Sequence, residues 1–181
     1  MQIRGTTLAG VLLMVPTPHR DDRGLFTRTF DRTLAREAGM SGEFLQDSQS
    51  RSRAGVLRGL HTRTGTGEAK LVRCARGAVH DVLVDARPGS PTFGAHEAFR
   101  LDDESFHSLY VPAGVLHGFL ALTDADVCYR IDAEHDPSAD AGVRWDDPDL
   151  GIAWPAPPRV VSQRDAALGS WVDLQPLLTR E

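Results

Sequence analysis

From Phe44 to Ala133 the chain is a succession of short apolar runs, each closed by turn-forming residues, and no long stretch carries a helical period. The runs are Gln46 to Ser52, Val56 to His61, Lys70 to Cys74, Ala78 to Asp85, Ala95 to Leu101, Ser108 to Val111, Val115 to Leu122 and Val127 to Ala133. Between them lie Thr64 to Gly67, Arg76-Gly77, Pro88 to Pro91, Asp102 to Ser105, Pro112 to Gly114 and Thr123 to Asp126, rich in Gly, Pro, Asp, Ser and Thr. Many short strands at this spacing predict an all-β fold, a sandwich or a barrel.

The flanks are less regular. Gly10 to Val15 leans to strand and ends at Pro16, after which PTPHRDDRG is a turn. Leu25 to Phe30 reads as a further strand. Asp31 is a predicted N-cap for a short helix through Ala38, with Gly39 as its stop. Asp146 to Pro158 is loop-like, and Ser162 to Leu168 reads as the start of a second short helix.

The length of 181 residues is enough for one domain with a real core, and residues 1–181 read as that domain. A net charge of -5 argues against a general binder of nucleic acid or of membrane surfaces, since both need a basic field. Val11 to Val15 is too short to span a bilayer, and no cleavage site follows it. Cys74 and Cys128 sit in apolar runs as buried thiols, which points to a cytoplasmic, disulfide-free protein.

The chemistry-bearing residues concentrate between Arg53 and Arg87. Arg58 and His61 share one run, and an odd separation sends them to opposite faces of a regular strand. Gly59 between them can take up a bulge that turns both inward. His61 is a candidate base because imidazole titrates nearest neutrality. His117 shares a face with Val115, Phe119 and Ala121 and is a core histidine or a pocket one. Lys70 follows Glu68 and by local rules is a solvated surface lysine; buried beside His61, it would hold an oxyanion. Tyr129 is core packing or a general acid. Asp165, three residues after Ser162, is by local rules a capping-box carboxylate. Arg23, in DDRG, is a turn residue on the same grounds. There is no H-x-H pair, and Arg63 two residues after His61 would repel a metal ion, so no metal is expected.

Taken in order, DDRGLF, QDSQS, GVLRGLH, AKLVRCARGAVHDVLVDAR, GSPTFG, LYVPAGVLHGFLAL, GVRWDDPDLGIAWP and SQRDAAL closely resemble the dTDP-4-dehydrorhamnose 3,5-epimerase family, from Gly10 to about Leu168. The resemblance implies a cupin-type β jelly roll with short flanking helices. It also implies a homodimer with N-terminal segments exchanged or packed across the interface. The implied substrate is a dTDP-linked 4-keto-6-deoxyhexose, and no cofactor is implied.

Carried over by position, His61 is the base, Asp165 its carboxylate partner, Tyr129 the acid and Lys70 the oxyanion partner. Arg58 and His117 match pocket-lining residues, and Arg23, Phe26 and Gln46 match nucleotide or phosphate contacts, some from a neighbouring subunit. The implied activity is an isomerase that inverts carbon 3, carbon 5 or both through an enolate. Four substitutions depart from the family pattern at the substrate end: Arg28 for a glutamate, Ser48 for the asparagine of QDN, Arg63 for a glutamine and His135 for an aromatic. They suggest a sugar made for a secondary metabolite. A 3,4-ketoisomerase of the same fold and a catalytically silent sugar-nucleotide binder are the competing readings, and the retained acid/base set favours the epimerase.

Overall fold

The structure, a computed structural model, describes residues 1–40 and 43–178. In chain order its elements are β1 (Gln2–Gly5), β2 (Leu12–Val15), β3 (His19–Asp21), β4 (Gly24–Phe26), α1 (Arg32–Glu37), β5 (Gln46–Ser52), β6 (Val56–Arg63), β7 (Lys70–Arg76) and β8 (Ala78–Asp85). They continue with β9 (His96–Asp102), β10 (Ser108–Val111), β11 (Val115–Ala121), β12 (Ala125–Ile131), β13 (Asp140–Gly142), β14 (Val160–Val161), α2 (Gln163–Ala166) and α3 (Trp171–Leu178).

One sheet has the order β1-β2-β10-β7-β12-β5 and the other β13-β6-β11-β8-β9, with β14 added in parallel beside β6; the remaining pairings are antiparallel. Consecutive strands therefore alternate between sheets at several points, as in a jelly roll. The inner faces meet in a core where Val72, Leu109 and Val127 of the first sheet pack with Val79, Leu83, Leu101 and Phe119 of the second. Each large side chain withdrawn from water there contributes about 1.5–3 kcal/mol.

Burial explains which strands alternate. β9 alternates exposed and half-buried side chains along His96 to Arg100, because one face meets water. All seven residues of β11 are buried. Its outer face and that of β8 lie under the C-terminal segment, where Val82, Val84 and Leu116 pack with Val143, Leu150, Trp171 and Leu174. α3 was not anticipated, and Pro176 inside it makes it a poor helix by propensity. Burial of Trp171 and Leu174 against the sheet supplies what propensity lacks.

α1 follows its local rules. The Asp31 carboxylate accepts from the backbone N–H of Thr33 and Leu34, and Gly39, at φ +78°, lets the chain turn away. Ala35 packs under the outer face of the first sheet with Met14, Leu71 and Tyr110.

The strand expected over Leu25 to Phe30 is shorter than its sequence suggests. Only Gly24 to Phe26 pairs, with β3, in a separate two-stranded ribbon whose residues are all exposed. Phe30 instead packs edge-on against Phe44 at 5.5 Å between centroids, with the Arg130 guanidinium 5.1 Å from its ring. Packing an aromatic there outweighs four more residues of an exposed ribbon. The ribbon carries Leu25 and Phe26 outward, and Phe26 is 71% exposed.

Candidate functional site

β6 and β11 share a register in which His61 faces His117 but Arg58 faces Phe119, so β6 carries one extra residue. The expected bulge therefore lies at Gly59-Leu60. Gly59 has φ +117°, and a Cβ there would stand 2.5 Å from the Gly118 Cα and 2.8 Å from the His117 carbonyl oxygen. Only glycine allows both that backbone and that approach. The consequence is that Arg58 and His61 both line one cleft of about 550 Å³ between the sheets, together with Lys70, His117, Tyr129 and Asp165.

Asp165 reaches the cleft from α2. Its backbone N–H donates to Ser162 Oγ at 3.0 Å, so the serine caps as expected. Its carboxylate does not cap: Oδ1 lies 2.8 Å from His61 Nε2, and Oδ2 accepts the Gly59 N–H at 3.2 Å. An acceptor-only carboxylate assigns the Nε2 hydrogen to His61 and leaves Nδ1 with the lone pair. Burial holds the His61 pKa below its usual 6.5, against the opposing pull of Asp165 and with the cations Arg164 and Lys70 acting the same way as burial. The imidazole is thus neutral at neutral pH.

Burial likewise pushes the Tyr129 phenol well above its usual 10, with a partial offset from Ser50, whose Oγ is 3.3 Å from the phenolic oxygen. Such a phenol keeps its proton. His117, edge-on to the Tyr129 ring at 6.1 Å, lies with Nε2 2.8 Å from Oδ2 of the fully buried Asp81 on β8. It is a satisfied core histidine and a wall of the cleft at once. Arg58 is steadied by a donation from its Nε to Ser52 Oγ at 3.0 Å.

The expectation of a solvated Lys70 is overturned. Its side chain is 16% exposed, with Nζ 2.7 Å from Glu68 Oε1. A whole-chain signal stood against the local rule: of 20 basic residues, Lys70 is the only lysine. Asp81 and Glu68 were also missed. Asp81 had a legible cue, a carboxylate directly before the apolar run Val82 to Val84 in β8.

The remaining candidates do not reach this cleft. Arg23 pairs with Asp21 at 2.6 Å at the tip of the ribbon, and the exposed Phe26 lies at its other end, opposite His19. Arg28 pairs with Asp31, the cap of α1, at 2.8 Å. Gln46 and Ser48 lie on the edge strand β5, opposite Ile131 and Tyr129. His135 is exposed, with Nδ1 2.7 Å from an Arg63 nitrogen. Among the described residues, no three His, Cys, Asp or Glu side chains converge to hold a metal ion, and no helix is long and apolar enough to cross a membrane. Both cysteines are free.

Two antiparallel sheets enclosing a cleft with an imidazole, a phenol and an ammonium define a cupin-type jelly roll equipped for proton transfer. A family model described as dTDP-4-dehydrorhamnose 3,5-epimerase matches residues 5–173. The chain is 42% identical over 151 residues to the dTDP-4-dehydrorhamnose 3,5-epimerase of Methanothermobacter thermautotrophicus, covering 83% of this chain and 82% of that one. It is 41% identical over 169 residues to the dTDP-4-dehydrorhamnose 3-epimerase of Streptomyces niveus, covering 91% and 81%. The crystal structure of a 4-keto-6-deoxy sugar epimerase from the novobiocin biosynthetic gene cluster of Streptomyces spheroides superposes with a TM-score of 0.93 at 37% identity, covering 97% and 90%. The chain belongs to the dTDP-4-dehydrorhamnose 3,5-epimerase family, whose members are isomerases acting on carbohydrates.

Proposed function

We propose that this chain inverts carbon 3, carbon 5 or both of a dTDP-4-keto-6-deoxyhexose, with His61 as base, Tyr129 as acid, Lys70 as the partner of the enolate oxygen and Asp165 behind the base. The observation that carries the reading is the pairing of a neutral, Asp165-bound His61 with a protonated Tyr129 in one cleft. A ketone at carbon 4 acidifies the hydrogens on its two neighbours, because the resulting carbanion delocalises onto oxygen. Nδ1 of His61 takes the proton, and Asp165 holds the ring's orientation and supports the imidazolium. The Lys70 ammonium stabilises the charge growing on oxygen, an effect worth about 3–4 kcal/mol where water is scarce. Tyr129 returns a proton to the opposite face, and the centre is inverted. The chemistry moves protons alone, so it asks for no redox or metal cofactor.

The reading extends to the second copy and the compartment. The outward Leu25 and Phe26, with Arg23 and Arg28 flanking them in the chain, fit a homodimer in which the ribbon of one copy meets the nucleotide end of the other's site; Gln46 and Ser48 are the further residues assigned to that end, and His135 to the hold on the sugar or the enolate. Two free thiols accord with the cytoplasm.

Incubation with dTDP-4-keto-6-deoxyglucose in heavy water tests the function, with NMR locating the deuterium and His61→Ala as control. Label at both carbons is expected of a double epimerase and label at one carbon of a single one. Intact binding without label rejects the enzyme and leaves the silent binder. A monomeric mass in solution rejects the dimer.

A further inference from the structure

Lys70 is held from behind by two buried charges. Its Nζ lies 2.7 Å from Glu68 Oε1, and the other oxygen of that carboxylate lies 2.7 Å from an Arg63 guanidinium nitrogen. The Glu68 and Arg63 side chains are only 5% and 8% exposed. Glu68 Oε2 has no aligned hydrogen-bond donor, so the contact with Arg63 is an ion pair rather than a directed bond.

Arg63 is itself pinned. It donates to the Glu134 carbonyl at 2.9 Å, contacts His135 Nδ1 at 2.7 Å and lies 3.4 Å from Asp140 Oδ1, while Asp140 Oδ2 holds Arg164 at 2.7 Å. Charges of alternating sign thus run from Lys70 through Glu68, Arg63 and Asp140 to Arg164, the residue before Asp165. This chain of contacts links the ammonium to the helix that carries the carboxylate behind His61.

The sharing of Glu68 has an electrostatic consequence. A buried carboxylate paired with Lys70 alone would form a neutral couple and cancel most of the field the ammonium offers an oxyanion. With Arg63 on the other oxygen, the three groups carry one net positive charge, and the carboxylate's attraction is divided. A long, flexible lysine stem is also fixed at its tip, which removes rotamers that point the ammonium elsewhere.

We propose that Glu68 and Arg63 are positioning residues that aim the Lys70 ammonium into the cleft and leave it a net positive field for the enolate oxygen. They act through Lys70 and touch no substrate. The inference rests on the assignment of Lys70 to that oxygen.

Because Lys70 is the only lysine, ε-15N-lysine labelling yields one side-chain ammonium resonance with no assignment to argue over. In the unmodified protein it is expected to be visible and shifted from that of free lysine, because a buried ion pair slows hydrogen exchange; in Glu68→Gln it should broaden or move to the free position. A free-lysine signal in the unmodified protein overturns the inference whether or not the enzyme turns over. In deuterium wash-in kinetics, Glu68→Gln should lower kcat about 100-fold with KM within about twofold, since a displaced catalytic group costs rate rather than binding. The Arg63→Gln, Glu68→Gln double variant still lacks the carboxylate that aims Lys70 and should recover none of that loss; recovery would mean that Glu68→Gln acts by leaving Arg63 unpaired rather than through the ammonium, and would overturn the inference. In a Lys70→Met background, Glu68→Gln should cost nothing further; an equal cost in both backgrounds would mean that Glu68 serves the fold alone. If the unmodified protein exchanges no deuterium, the epimerase reading fails while the ammonium signal still decides the ion pair.

Discussion

His61 Nε2 and Asp165 Oδ1 lie 2.8 Å apart, although 104 residues separate them in the chain. The contact joins the bulged strand β6 to the short helix α2, and the same carboxylate reaches back to the Gly59 N–H within the bulge. The base and the backbone that turns it inward are thus held by one side chain.

Asp165→Asn tests the tautomer this contact imposes. The amide can donate where the carboxylate only accepts, so the ring hydrogen is expected to shift to Nδ1 and leave no lone pair toward the substrate. A fall in kcat of about 10³- to 10⁴-fold is expected. Calorimetry should show dTDP binding within about threefold of the unmodified protein; loss of binding would mean that Asp165 chiefly shapes the cleft.

The pH profile follows from the depressed His61 pKa. Protonated imidazole cannot abstract, so activity should hold as pH falls past the usual histidine value of 6.5 and decline only through the lower value set by burial. The sign for stability is the reverse in position: the unfolded histidine takes up its proton near 6.5 first, so its contribution to stability is lost as pH falls below 6.5. A kcat/KM profile with its acid limb above 6.5 would contradict the burial argument.

Tyr129→Phe removes the proton donor but keeps the ring that packs against His117. Net inversion is expected to fall about 10²- to 10⁴-fold. Abstraction and return by His61 on its own face should continue, so deuterium should enter with retained configuration. Equal loss of exchange and inversion would assign Tyr129 a different task.

Gly59→Ala probes the bulge. The added methyl group meets the backbone of β11 and forces a side chain into a positive φ, so the fold should lose about 2 kcal/mol or more. Urea unfolding measures the loss, and an unchanged midpoint would show that β11 yields easily.

Leu25→Asp with Phe26→Asp addresses the ribbon. Charging its exposed apolar face is expected to convert a dimer to a monomer by light scattering and to raise KM more than it lowers kcat. Stability of each copy should be little affected, since neither side chain belongs to the described cores.

Much of this was legible in the residues. Glycine, proline and aspartate clusters marked the turns, and the strands between them lie within about two residues of expectation at most ends because turn chemistry acts between neighbours. Asp31 and Gly39 bounded α1 for the same reason. The demand for a bulge at Gly59 came from the parity of a strand, also a local property. Local rules failed at Lys70 and Asp165, where the same rules predicted a solvated amine and a capping carboxylate. They failed too at α3, whose Pro176 opposes a helix that packing nonetheless favours.

The sequence by itself determined where the backbone turns and which runs extend, since these depend on each residue's own torsional limits and on its nearest neighbours. Only the tertiary structure decided which way Asp165 points, that Glu68 divides its charge between Lys70 and Arg63, and that Asp81 stands behind His117. Those choices are made between residues far apart in the chain, where burial removes water as the competing partner and the nearest opposite charge or donor decides.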